Sequence, residues 1–268
     1  MNIQLNKILI HNIIFMVVRM NYLCISDFEG TLIKDNKTIS DYTIDILNNF
    51  TINNNFVILS NSSIKELIDF KNKYNLNIDI FSVSEGIFII NNKEIKYMIN
   101  HGDINNLIIL FKDYIYTAYT NDVIYNYQER LKNLYPKKYK ICDKFNDSTY
   151  LNIAIDIKID NDFTSFLDKN GLSYNCIGKD KNRAFYNIKN TIKNKDDCYE
   201  ILINYYKNKK TIGLADSYSD LALLKKCDIS VSMKNGDNKL KENTDYITDY
   251  DNNNDGLALF LNDIRHLQ

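Results

Sequence analysis

Four short stretches carry the residue types that could do chemistry on an anion. Asp27-Phe-Glu-Gly-Thr31 directly follows an apolar run, so the carboxylates of Asp27 and Glu29 emerge where a strand ends. Open α/β sheets bind their ligands at that end of the strands. A second apolar run closes in Ser60-Asn61-Ser62-Ser63, where a hydroxyl and the free amides of a following helix would hold a phosphate. Lys195 opens the helical stretch 195–202, at the positive end of a helix dipole where a cation sits badly unless an anion joins it. Asp216 ends a further strand, and Asp220 stands one helical turn beyond it. With Asp27, these carboxylates would make the oxygen-rich, partly hydrated shell that Mg²⁺ prefers.

Each stretch also has a plainer reading. Asp and Gly are ordinary turn residues, and Ser60, Asn61 and Asp216 could cap helices. Asp220 could be a first-turn acid, and Lys195 a solvated lysine in a chain that also carries Lys189 and Lys193. The order and company of the four stretches decide between these readings.

The elements that would position them alternate short apolar runs with amphipathic stretches. Strands are expected at 22–26, 56–60, 211–215 and 229–233, and helices at 42–50, 64–74, 198–206, 220–226 and 257–264. That alternation predicts an α/β fold, a doubly wound parallel sheet. Between the two blocks the pattern changes. Residues 86–97 read as a hairpin turning at Asn91-Asn92, and 151–159 as a half-exposed strand of an antiparallel sheet. The expected organisation is a core of residues 20–85 and 188–268 with an α+β insert at 86–187. Residues 1–19 are expected to be a non-core extension, with translation expected to start at Met20.

The composition agrees with an ordinary globular chain: 268 residues, 45% hydrophobic, 25% charged, net charge −1. Acids and bases are interleaved, which argues against a nucleic-acid partner. The apolar stretch 8–18 is short and interrupted by His11 and Asn12, too weak for a membrane span. Five scattered cysteines without a C-x-x-C pair support neither a disulfide framework nor a zinc site, so a cytoplasmic setting is expected.

Taken together, the stretches resemble the haloacid-dehalogenase superfamily. That family pairs acids in D-x-D-x-T, ends a second strand in Ser or Thr, places a Lys third and a G-D-x-x-N-D-like pair fourth. Here the matching residues are Asp27 with Glu29 and Thr31, then Ser60, then Lys195, then Asp216 with Asp220. The insert falls between Ser60 and Lys195, the position of the family's C2-type cap. Within that group the likeness is nearest to mannosyl-3-phosphoglycerate phosphatases, through 61–63 with Glu66, 84–89, Phe185-Tyr186, 215–220 and Cys227-Asp228. Phosphoglycolate phosphatases share much of it. The resemblance implies a phosphomonoesterase acting on a small phosphorylated sugar or glycerate derivative. Asp27 is its nucleophile and Glu29 its acid and base, while Lys195 steadies charge and Ser60 and Asn61 hold phosphate. It also implies Mg²⁺ held by Asp27, Asp216, Asp220 and the backbone carbonyl of Glu29.

Three residues depart from the pattern: Glu29 replaces Asp, Ala215 replaces Gly and Ser219 replaces Asn. None removes a charge, but together they leave open a binding protein on a decayed phosphatase fold. In the insert, Arg183 is expected to grip a substrate carboxylate, since a guanidinium offers two parallel hydrogen bonds. Its plainer reading is a solvated turn. The oligomeric state is not legible.

Overall fold

The computed structural model describes residues 21–97, 101–120, 122–135, 139–145, 150–189, 192 and 194–266. The expectations for residues 1–19 lie outside them. Along the chain the strands are β1 (Tyr22–Ser26), β2 (Asn55–Ser60), β3 (Asp79–Ser82), β4 (Ile87–Ile90), β5 (Lys93–Lys96), β6 (Ile115–Tyr119) and β7 (Val123–Tyr125). They continue as β8 (Lys140–Ile141), β9 (Tyr150–Asp156), β10 (Ser173–Lys179), β11 (Arg183–Lys189), β12 (Lys210–Ala215), β13 (Ile229–Ser232) and β14 (Tyr246–Ile247). Contacts divide the described residues into two compact units, one drawn from 21–59, 71–79 and 199–266, the other from 60–70 and 80–198.

The first unit is built on parallel strands in the order β14-β13-β12-β1-β2. β1 is central, paired with β12 on one side and β2 on the other. That position explains its unbroken apolar run: all five of its residues are buried, as both faces of a parallel sheet must be covered. Gly213 in β12 has a packing reason, because a Cβ there would lie 2.6 Å from Leu224 and 2.8 Å from the sulfur of Cys227. The helix Leu221–Leu224 therefore sits directly on the strand. Ser40 caps the helix Asp41–Phe50 by accepting from the Thr43 amide, and both hydroxyls donate to Asp255 beside the final helix, Gly256–His266. The fold is α/β with a parallel sheet, as the sequence pattern implies.

In the second unit, β3, β4 and β5 form an antiparallel meander. Its β4–β5 turn places Asn91 and Asn92 at φ 47° and 60°, the left-handed pair a two-residue hairpin requires. A six-stranded sheet follows in the order β10-β11-β9-β6-β7-β8. One face carries Leu151, Ile153, Ile155, Ala184, Tyr186 and Ile188 into a core with Phe163 and Leu167 of the helix Asp160–Lys169. The half-exposed strand expected at 151–159 needs correction. β9 is buried through its middle because β11 and β6 flank it, and it stops at Asp156, whose carboxylate accepts from the Lys158 amide to start a short 3₁₀ turn. No helix among the described residues is long and apolar enough to cross a membrane.

Candidate active site

β1 and β12 run parallel with Ser26 opposite Leu214, so Asp27 and Asp216 leave neighbouring strands at the same end. The Asp27 amide still donates to Leu214 O at 2.9 Å, extending the ladder by one residue before the chain turns. Its carboxylate accepts from the Phe28 amide at 2.7 Å. Thr31 donates through its hydroxyl to Asp216 at 3.2 Å, and Asn235 donates to the carbonyl of Gly30 at 2.7 Å. The carbonyl of Asp216 accepts from the Asp237 amide at 2.8 Å, and the Asp237 carboxylate accepts from the Tyr218 amide at the same distance. Loops after three strands are thus tied into one cradle.

Gly30 is required in that cradle. Its φ of +70° lies in the left-handed region, and a Cβ there would collide with the Asp216 carboxylate. The absence of a side chain is what lets the first loop close over the second acid.

Burial, then the negative charge of Asp27, push the Asp216 carboxyl up to about 6, against the hydrogen bond from Thr31, with Asp220 adding a smaller upward push. Asp220 itself is 2% exposed, in the 3₁₀ turn Tyr218–Asp220. Two facing carboxylates, one destabilised by the other, form the kind of hard-oxygen site a divalent cation relieves. Asp27 and Asp216 fit that role. Among the described residues, however, no group of three or more Asp, Glu, His or Cys side chains is gathered to hold a metal ion. The Glu29 side chain is exposed and ion-paired with Lys37.

Ser60, Asn61 and Lys195 belong to the second unit. The carbonyl of Ser60 accepts from the Val83 amide at 2.8 Å and its hydroxyl accepts from the Ser62 amide at 3.0 Å. Lys195 is half-buried in the turn before the helix Asp197–Tyr205, not within it, and its carbonyl accepts from Cys198. The capping competitor is realised two positions beyond Asn61, where Ser63 accepts from the Glu66 amide at 3.2 Å.

Arg183, expected to grip a substrate carboxylate, begins β11. It pairs with Asp180 at 2.6 Å, and its guanidinium lies over the rings of Tyr116 and Phe185. It is not among the residues around a cavity of about 540 Å³ in the second unit, whose polar lining includes Asn61, Glu85, Asn152, Asn187 and Lys189. The sequence reading passed over the last three. All three stand at positions where strand alternation already expects polar or half-exposed residues, so no local pattern singles them out.

The chain belongs to the haloacid dehalogenase-like hydrolase family, whose sequence pattern matches residues 24–261. Among solved structures it resembles a haloacid dehalogenase-like hydrolase from Bacteroides thetaiotaomicron, at 18% identity and TM-score 0.62 over 91% of this chain and 99% of that one. Another protein of that organism, analysed among phosphatases of the haloalkanoate superfamily, is 17% identical with TM-score 0.66 over 93% and 97%. A Thermotoga maritima protein is 17% identical with TM-score 0.65 over 91% and 97%. Identities this low show a shared fold. No curated protein matches the sequence.

Proposed function

We propose that this protein hydrolyses phosphomonoesters through an aspartyl-phosphate on Asp27, with Mg²⁺ as cofactor. The observation that carries the reading is the Asp27–Asp216 pair, two carboxylates at the ends of adjacent parallel strands with Asp216 raised to about 6. Asp27 and Asp216, with the Glu29 carbonyl, are the residues that would hold the cation, and Asp220 would add its field. When bound, Mg²⁺ supplies charge neutralisation, without which one anion does not attack another.

A carboxylate oxygen of Asp27 bonds to phosphorus as the bond from phosphorus to the leaving oxygen breaks, and that oxygen takes a proton. Water then attacks the aspartyl-phosphate, losing its proton to a base and releasing Asp27 and inorganic phosphate. Glu29 is the acid and base of this scheme. It reaches that role only by leaving Lys37, so the ion pair is a resting arrangement. Lys195, Ser60 and Asn61 would hold the phosphoryl oxygens. Residues 86–187 serve as the cap, and the substrate is a phosphorylated sugar or glycerate derivative, of which mannosyl-3-phosphoglycerate is one and phosphoglycolate a smaller alternative. Such a reaction on small phosphorylated metabolites suits the cytoplasm.

The Glu29–Lys37 pair also favours a second reading, a ligand-binding protein whose acid has been diverted. Hydrolysis of p-nitrophenyl phosphate with and without EDTA separates the two. Metal-dependent turnover that disappears in Asp27→Asn supports the phosphatase, and no turnover in any divalent metal supports the binding protein.

A further inference from the structure

Glu29, the acid and base of the proposed scheme, rests against a turn that holds one cation in place. Its backbone is fixed: Glu29 bridges Ile33, and the Phe28 carbonyl accepts from the amides of Leu32 and Ile33, each at 3.1 Å. A change of position therefore falls to its side chain, and that side chain pairs with Lys37.

Lys37 stands on the turn 34–38, where the Lys34 amide donates to the Thr38 carbonyl and the Lys37 amide to the Lys34 carbonyl, both at 2.9 Å. Asn36 locks the turn from within, its side-chain oxygen accepting from the Thr38 amide at 3.1 Å and the Thr38 hydroxyl at 2.6 Å. The turn is also tied to the loop before the final helix. The Asp35 carboxylate accepts from the side-chain amides of Asn252 and Asn253, each at 3.0 Å, and the Asp35 amide donates to Asn253 Oδ1 at 3.1 Å. Lys34 pairs with Asp255 at 3.5 Å. Within this frame Lys37 has φ +63°, a left-handed position that Gly or Asn fills at less cost than a long side chain. Such an outlier on an anchored turn points to a role for the side chain, and the ammonium meets Glu29. The two side chains are 60% and 56% exposed, so the pair is weak enough to open in every turnover.

We propose that Lys37 is a positioning residue that restrains Glu29 away from the leaving oxygen, and so slows those esters whose leaving group needs a proton. The inference rests on the phosphatase reading with Glu29 as its acid. An alkyl ester does not release a bare alkoxide. Its bond to phosphorus breaks as the Asp27 oxygen bonds to phosphorus and the leaving oxygen takes the proton of Glu29, which is left as a carboxylate. p-Nitrophenolate delocalises its own negative charge and leaves without that proton. Lys37 therefore tilts the enzyme towards leaving groups that carry their own charge.

Glycerol 3-phosphate and p-nitrophenyl phosphate test this through kcat/KM, which covers the steps up to the aspartyl-phosphate. An exposed ion pair biases a side chain by up to about fivefold, so Lys37→Met should raise the alkyl ester by about two- to fivefold and leave the aryl ester at its wild-type value. Lys37→Arg should restore the wild-type ratio. Lys34→Met removes a cation from the same turn without touching Glu29, and should leave the ratio alone. In about 0.5 M KCl the alkyl-to-aryl ratio of the wild type should rise and that of Lys37→Met should not, because salt screens exposed charges. A ratio that Lys37→Met leaves unchanged overturns the proposal. So does an equal change in both esters, which would make Lys37 a contact for the phosphate they share. If the wild type turns over neither ester with Mg²⁺, the phosphatase reading fails by itself, and the restraint is read from stability. Lys37→Met, Glu29→Gln and the double variant form a cycle in which coupled melting shifts that vanish in about 0.5 M KCl support the restraint, and additive shifts overturn it.

Discussion

In the first unit the polar groups that matter, Asp27, Asp216 and Asp220, stand just past strand ends, while in the second Tyr119, Asn152, Asn187 and Lys189 stand within strands. The difference sets how each group is held. Past a strand end, position comes from a local turn plus one neighbouring strand, as with the Asp27 amide on Leu214. On the face of an antiparallel sheet it comes from the register of three strands far apart in sequence. On the proposed reading, reaction chemistry resides in compact local stretches, and polar groups placed by long-range pairing serve a separate role. Mutations should separate the two.

The largest separation is expected at Asp27. Asp27→Asn is nearly isosteric but has no nucleophilic oxygen anion, so kcat for any phosphoester should fall by roughly a thousandfold or more. Circular dichroism and melting should stay close to wild type. A variant that keeps even a tenth of the activity would remove Asp27 from the reaction and dissolve the contrast drawn above.

Gly30→Ala comes next, because it attacks the cradle without touching a reacting group. The new methyl meets the Asp216 carboxylate, and the residue must hold φ +70°. Strain of this kind typically costs about 1–3 kcal/mol. Both melting temperature and turnover should fall, with the selectivity between 3-phosphoglycerate and glycerol 3-phosphate unchanged. A fall in selectivity alone would mean that the loop serves recognition.

The same contrast explains what the sequence disclosed. Strands β1, β2, β12 and β13 were legible within a residue because parallel central strands are unbroken apolar runs, and the Asn91-Asn92 hairpin because few residues accept two left-handed positions. Asp27, Thr31 and Asp216 were legible as strand-end residues, and the structure gathers them. What was not legible followed from pairing. The burial of β9 depends on neighbours contributed by residues 115–119 and 183–189, which no local pattern reports. Lys189 looked like one of several lysines until the register set it opposite Tyr150, one row from Asn152. The pairing of Arg183 with Asp180, three residues away, was equally invisible in the sequence pattern.

Asp216→Asn should lose activity yet stabilise the metal-free protein. The sign follows from the raised carboxyl. With a folded value of about 6 against 3.8 for the free group, the folded state holds its proton longer, so ionisation costs stability. The penalty is absent well below pH 3.8, grows as pH rises through 3.8 to about 6, and is complete above that. Because the site is partly open to solvent, the gain at pH 7.5 should be on the order of 1 kcal/mol after screening. It should shrink on acidification to pH 4. Added MgCl₂ should raise the melting temperature of the wild type and not of Asp216→Asn, since a ligand that binds the folded state stabilises it by mass action. A variant less stable than wild type at pH 7.5 in EDTA would mean that the carboxylates are not in conflict.

The smallest effect is expected at Arg183, where the contrast between the two units is sharpened. Arg183→Met keeps an unbranched apolar stem for the rings of Tyr116 and Phe185 and removes a guanidinium whose Nη1 is buried without a partner among the described residues. It also releases Asp180, which is exposed and returns to water at little loss, because surface ion pairs contribute little. Melting should shift only slightly, and the kcat/KM ratio between 3-phosphoglycerate and glycerol 3-phosphate should stay at the wild-type value. A ratio that collapses in Arg183→Met would return the anion contact to the turn at 180–183, and would mean that substrate recognition reaches that turn.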